Sequence, residues 1–188
     1  MEACRTYAIS QTIVDLKPFF EDGCWTVSFL ARDANRGLLL RHGPADWWWH
    51  LTLWNTDTDV FECGQWFHGR IDPSKCDLSP NGELFLYFAE KFRHRNAVKG
   101  YGGSWSAISR PPYFTALALW PHGGFYDGFF LDDRTVRTGG GVPAHHPNHP
   151  PGPLQLVTGY EPNAVLAWNR GWQRWPAPSG EIRCSGIS

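Results

Sequence analysis

The sequence predicts an all-β fold made of short antiparallel strands. The chain of 188 residues contains 20 glycines and 15 prolines spread over its length, and these residues divide it into short segments. It also contains 11 tryptophans, which suit the half-buried surface of a sheet better than a helix interior. Apolar segments separated by polar turns recur along the chain, a pattern typical of β-hairpins. We therefore expect strand to far exceed helix, with helix limited to a few turns.

Strand–turn–strand patterns occur at several places along the chain. The first is "FLARDANRGLLLRHG", in which apolar residues flank a polar turn. The second joins "DWWWHLTLW" to "VFECGQWFHGRID" through the turn-like "NTDTD". The third is "KCDLSPNGELFLYFAEKF", residues 75–92, and the fourth is "YDGFFLDDRTV", in which "DDRT" is a typical turn.

A spacing of 41 residues suggests that one hairpin unit is repeated. Pro80 in "LSPNGELFLYFA", Pro121 in "LWPHGGFYDGFFL" and Pro162 in "YEPNAVLAW" each lie 41 residues from the next. The length suits a single domain over residues 1–188, with about four to five antiparallel units. The alternative is an irregular β-sandwich or barrel.

Two segments resemble parts of WD40-like and TolB-like β-propeller blades. "CDLSPNGELFLYFA" is similar to the S-P-D/N-G-x-x-L turn and strand of such blades, and "FTALALWPHGGFYDGFFLDDRTVRT" resembles the second half of one. The resemblance covers about half of the chain. It implies a small propeller-like array with a period near 41 residues, and it implies no particular activity.

Charge and cysteine content exclude several functional classes. Lys plus Arg total 17 and Asp plus Glu total 18, so no basic surface for nucleic acid or anionic lipid is predicted. No apolar run is long enough for a membrane span, and the start of the chain lacks a signal-peptide pattern. The five cysteines include no C-x-x-C pair, which favours free thiols and a cytoplasmic location.

Aromatic residues of the second hairpin form the main candidate binding site. Alternate residues of a strand share a face, so Trp47, Trp49, Leu51 and Leu53 are expected in the core. The opposite face is expected to bind a protein partner or a small ligand, because aromatic rings with a few hydrogen-bonding groups suit both. Its candidate residues are Trp48, His50, Trp54, Trp66, His68 and Arg70. The competing interpretation is that packing against a neighbouring sheet buries these rings.

The proline-rich tract "TGGGVPAHHPNHPPGP", residues 138–153, is predicted to be a long exposed loop. It contains His145, His146 and His149, which could bind a divalent metal because imidazole is a common metal ligand. No cysteine or carboxylate accompanies them, and the prolines prevent the helical spacing of known zinc motifs. A solvated loop without a cofactor is the favoured interpretation.

Acidic residues provide the remaining candidates for chemistry. Asp77, Asp127, Asp132 and Asp133 could act as general acid and base, but turn formation explains the "DDRT" carboxylates more simply. The function expected is therefore a non-catalytic binding or scaffold protein. The alternative is a small metal-dependent hydrolase with its site on His and Asp loops. Open strand edges further predict pairing with a second copy of the chain, unless the array closes.

Overall fold

The protein is all-β, as the sequence predicts. The computed structural model describes residues 24–43, 47–91, 103–121, 123–125 and 128–159. These residues form twelve strands in three sheets and contain no α-helix. The strands are β1 (Trp25–Leu30), β2 (Arg36–His42), β3 (Trp48–Asn55), β4 (Val60–His68), β5 (Arg70–Ile71), β6 (Asp77–Leu78), β7 (Phe85–Glu90), β8 (Ser104–Ser109), β9 (Ala116–Trp120), β10 (Gly128–Phe130), β11 (Thr135–Thr138) and β12 (Gln155–Thr158).

The first sheet is an antiparallel meander in the order β1-β2-β3-β4. The β1–β2 and β3–β4 pairs are the first two hairpins that the sequence predicts. Polar segments join β1 to β2 and β3 to β4, and Asn55 stabilises the β3–β4 turn by accepting hydrogen bonds from the main chain of Asp57 and Thr58. The sheet therefore follows directly from local sequence signals.

The central sheet has the order β5-β7-β8-β9, and β6 pairs beside β5 along the same edge of β7. The turn between β6 and β7 contains the "SPNG" of the predicted third hairpin. The Gly82 N–H donates to the Ser79 carbonyl at 2.8 Å, and Gly82 has φ +72, which a glycine adopts without strain. The Asp133 carboxylate accepts the Asn81 N–H from the third sheet, so this turn also joins two sheets.

The third sheet combines the predicted β10–β11 hairpin with a parallel strand, β12. Residues 139–154 connect β11 to β12, so the proline-rich loop is a crossover connection. The loop is mostly exposed, and its main chain is fixed to the edge of β9. The Leu119 N–H donates to the His149 carbonyl and the His146 N–H donates to the Leu119 carbonyl, at 3.1 and 2.8 Å.

Two hydrophobic cores lie on opposite faces of the central sheet. The first packs this sheet against the first sheet, and the second packs it against the third. Successive residues of β7 alternate between them, with Phe85 and Tyr87 in the first core and Leu86 in the second. The Tyr87 hydroxyl donates to the Phe114 carbonyl at 2.6 Å, and burial raises the pKa of Tyr87. The central sheet is therefore covered on both sides.

The prolines of the predicted repeat have different surroundings. Pro80 lies in the tight turn of a hairpin, whereas Pro121 follows β9 and precedes β10, which belongs to another sheet. Pro162 lies outside the described residues. The propeller-like repeat stays a prediction.

No helix in the described ranges is long and apolar enough to cross a membrane.

Candidate functional site

The outer face of the first sheet carries the predicted aromatic site. This face is the side opposite the first core, and alternation along β3 places Trp48, His50, Thr52 and Trp54 on it. Strand pairing adds residues from β4, because directly opposed residues share a face. The residues added by β4 are Phe61, Cys63, Trp66 and His68.

A β-bulge in β4 determines which of its residues lie on the outer face. His50 pairs with Trp66 and Thr52 pairs with Cys63, so Leu51 opposes two residues, Gly64 and Gln65. Without the extra residue, Phe61 and Trp66 would point to opposite faces, since their numbers differ by an odd value. Strict alternation from Trp66 therefore does not place Phe61 on this face. In the sequence, the feature that could have indicated the bulge is Gly64, because a glycine inside a strand pattern often marks one.

The loop before β9 holds the bulge in place. The Gln65 N–H donates to the Pro112 carbonyl at 2.9 Å, and the Gln65 side-chain oxygen accepts from the Phe114 N–H at 2.7 Å. A Cβ on Gly64 would overlap the Pro112 main chain, so only glycine permits this close approach. The middle of β4 is thereby joined to the central sheet.

One end of the outer face is a cluster of two tryptophans and two histidines. The Trp48 and Trp66 rings meet edge to face with centroids 6.3 Å apart, and they are 41% and 51% exposed. The His68 ring lies 4.6 Å from Trp48, and the His50 ring lies 4.6 Å from Trp66. Cross-strand aromatic contacts of this kind fix ring positions while leaving their outer surfaces accessible.

His50 is buried and packs against the Trp66 ring, so it stabilises the cluster and is not part of its exposed surface. It is only 8% exposed, because Trp66 covers its ring, and the Thr52 hydroxyl lies 3.2 Å from its Nδ1. Burial lowers the pKa of His50 below its usual 6.5, and the positive charge of Arg41 lowers it further, while a hydrogen bond to the Gly64 backbone acts in the opposite direction. His50 is therefore a neutral, structural imidazole near pH 7.

The other end of the outer face is an aromatic pair beside an acidic turn. The Trp54 and Phe61 rings are nearly parallel, with centroids 5.8 Å apart and an angle of 14°. The indole N–H of Trp54 donates to the Asp59 carboxylate at 3.0 Å, which orients the ring. Phe61 is 49% exposed, so this end also offers apolar surface to a partner.

Two residues differ from their predicted places. Arg70 does not belong to the outer face, because the chain bends at Gly69 and Arg70 enters β5, where it forms an ion pair with Glu90 of β7 at 3.3 Å. Trp47 is not a core residue. It precedes β3 with φ +70 and is half exposed, whereas Trp49 is buried as predicted.

The acidic candidates act as structural acceptors. Asp77 accepts the Phe130 N–H at 2.8 Å, and Asp133 accepts the Asn81 N–H at the same distance. Asp132 accepts the N–H groups of Arg134 and Thr135, and these hydrogen bonds lower its pKa. Asp127 lies outside the described residues. The described carboxylates therefore serve turns and sheet contacts.

The three histidines of the loop do not gather around one point. The His146 and His149 rings are 5.5 Å apart, while His145 is exposed beside them. Among the described residues, no group of three or more His, Cys, Asp or Glu side chains is placed to hold a metal ion. The thiols of Cys24 and Cys76 donate to the His42 and Asp72 carbonyls, each at 3.2 Å, and the Cys63 thiol is exposed. Cys4 and Cys184 lie outside the described residues.

A scan against protein-family models, a search of curated proteins and a search of solved structures each gave no match.

Proposed function

We propose that the protein is a non-catalytic binding module that holds a partner or ligand on the outer face of the first sheet. The observation that carries the proposal is the exposure of Trp48 and Trp66, which lie side by side at about half of their accessible surface. Large exposed aromatic patches are uncommon on proteins without a binding role, and tryptophan is enriched where binding energy concentrates.

The second support is the way the rings are held. Trp48 rests on His68, and Trp66 rests on the buried His50. Both tryptophans are therefore restrained before any partner arrives, which reduces the entropy lost on binding. The imidazole of His68 and the hydroxyl of Thr52 add hydrogen-bonding groups on the same face.

The hydrolase alternative has less support. Its carboxylates accept main-chain hydrogen bonds in turns, and its loop histidines do not converge in the described part of the chain. A general acid or base must reach a substrate proton, and these groups are occupied elsewhere.

The test is capture from a lysate of the source cells with the full-length protein and two variants, Trp48→Ala and Trp66→Ala. We expect a stoichiometric partner to be lost from both variants, with melting temperatures close to that of the unchanged protein. Tyr113→Ala is the matched control, because Tyr113 is 51% exposed but lies in the loop before β9.

Equal capture by all variants would contradict the proposal. A large fall in melting temperature for both tryptophan variants would also contradict it, because it would assign the rings a packing role.

A further inference from the structure

The outer edge of β4 is open over its first four residues, Val60–Cys63, here called the β4 edge. β4 is the last strand of the first sheet, and all four residues are exposed, with Val60 at 61%. Beyond them, the loop before β9 covers the strand at Gly64 and Gln65. The open edge is therefore short and has a defined end.

The pairing register shows which main-chain groups face outward. The Trp48 carbonyl accepts from Gly43, on the β2 side, so even-numbered residues of β3 bond toward β2 and odd-numbered ones toward β4. Val60 and Glu62 oppose Asn55 and Leu53, and hence they bond to β3.

It follows that the N–H and C=O groups of Phe61 and Cys63 point away from the sheet. Within the described ranges, no main-chain group pairs with them. Four aligned hydrogen-bonding groups on an exposed strand are a template for an added strand.

The charge of the β3–β4 hairpin indicates which kind of added strand can bind at this edge. Residues 47–69, which contain the β3–β4 hairpin, have three carboxylates and no lysine or arginine. The carboxylates are Asp57, Asp59 and Glu62, all exposed, and none forms an ion pair with another described residue. A second copy of this edge would bring like charges together, whereas a basic strand would meet complementary charge.

The aromatic pair at this end favours the same chemistry. A strand added at the β4 edge places alternate side chains beside Phe61 on the outer face and beside Glu62 on the other. A lysine or arginine on the first side can lie over the Phe61 and Trp54 rings, and one on the second side can pair with Glu62.

We propose that the β4 edge binds an extended peptide carrying lysine or arginine, by adding it as a fifth strand to the first sheet. This binding uses the main chain of β4 and the acidic hairpin, so it goes beyond the proposed use of Trp48 and Trp66. The two sites lie at opposite ends of the same strand pair.

The test measures fluorescence anisotropy of a labelled hexapeptide of alternating arginine and valine, with a glutamate and valine peptide as control. We expect only the basic peptide to bind, and Cys63→Pro to weaken it about tenfold, since proline removes one outward N–H. Cys63→Ser keeps that N–H and should bind normally.

The charge of the edge is tested separately. Glu62→Lys should weaken binding of the basic peptide about tenfold, whereas Glu83→Lys, on another exposed turn, should not.

A second form of the binding experiment changes the peptide and leaves the protein unchanged. Methylation of alternate peptide nitrogens removes the donors that would pair with Phe61 and Cys63, and it should abolish binding while the charge is retained. Equal binding of the methylated and unmethylated peptides would overturn the proposal. So would equal binding by Cys63→Pro and Cys63→Ser, or a dimer in sedimentation that Cys63→Pro dissociates. Trp66→Ala should leave peptide binding intact, which separates this test from that of the outer face.

Discussion

Strands β7 and β4 are both rich in aromatic residues, yet β7 is buried and β4 is exposed. Phe85 of β7 is fully buried against Phe29 and Tyr87, whereas Phe61 of β4 is 49% exposed. Both strands alternate in the ordinary way. The difference comes from position, because the central sheet has a sheet on each side and β4 is the last strand of an outer sheet.

The comparison shows how the same residue type serves two purposes. In β7 the run "FLYFAE" places apolar side chains into two cores, which is typical of a strand covered on both faces. In β4 the exposed rings contribute little to the core and are available to a partner. Aromatic content alone therefore predicts sheet structure, and the layer of the strand decides between stability and binding.

The largest expected effect is a direct test of this difference. Phe85→Ala should lower the free energy of unfolding by about 3–5 kcal/mol, since it leaves a cavity in the first core. Phe61→Ala makes the same chemical change on the exposed strand and should cost less than about 1 kcal/mol. Urea denaturation of both variants measures the two values. Similar losses would mean that β4 is as tightly packed as β7.

A smaller effect is expected where the two regions meet. Gly64→Ala should cost about 1–3 kcal/mol, because the new methyl group must displace the Pro112 main chain and weaken its bond to Gln65. Gly140→Ala is the control, since nothing lies within 4 Å of a Cβ there. Thermal unfolding of both variants measures the contrast, and an unchanged Gly64→Ala variant would show that the loop does not constrain the bulge.

The smallest effect concerns the pH dependence of the exposed region. The pKa of His50 is below 6.5 in the folded protein, so the unfolded chain takes up a proton first as the pH falls. The stability contributed by neutral His50 is complete above pH 6.5 and is lost as the pH falls below that value. The stability advantage of the unchanged protein over His50→Gln should therefore shrink from pH 8 to pH 5, within the range of about 5 to 8 in which histidines titrate.

Melting temperatures of both proteins across this range provide the measurement. Thr52→Val keeps the imidazole and should retain the pH dependence of the unchanged protein. A constant difference between His50→Gln and the unchanged protein would contradict the assignment.

Local patterns predicted much of the fold. The hairpins β1–β2, β3–β4, β6–β7 and β10–β11 follow from apolar segments around polar turns, and the "DDRT" turn forms as expected. The three-layer arrangement was not predicted, because periodicity within a strand does not show which sheets pack together. The parallel pairing of β12 was missed for the same reason.

The site was predicted in part. Alternation in β3 placed Trp48 and Trp54 on one face, and strand pairing added Trp66 and His68. Arg70 was misplaced because the bend at Gly69 transfers the chain to another sheet, and Phe61 was missed because the bulge changes the alternation. Both errors occur at glycines, where the regular period of a strand is interrupted.

The crossover between β11 and β12 has a consequence for the order of folding. Hairpins close short loops and form early, whereas the parallel pair must bring together residues 20 positions apart, such as Thr135 and Gln155. Its connecting loop also bonds to Leu119 of β9, so that edge must already exist. We therefore expect the third sheet to be completed last during refolding. Amide protection should consequently appear in β2 and β3, whose pairing begins between His42 and Trp49, before it appears in β12.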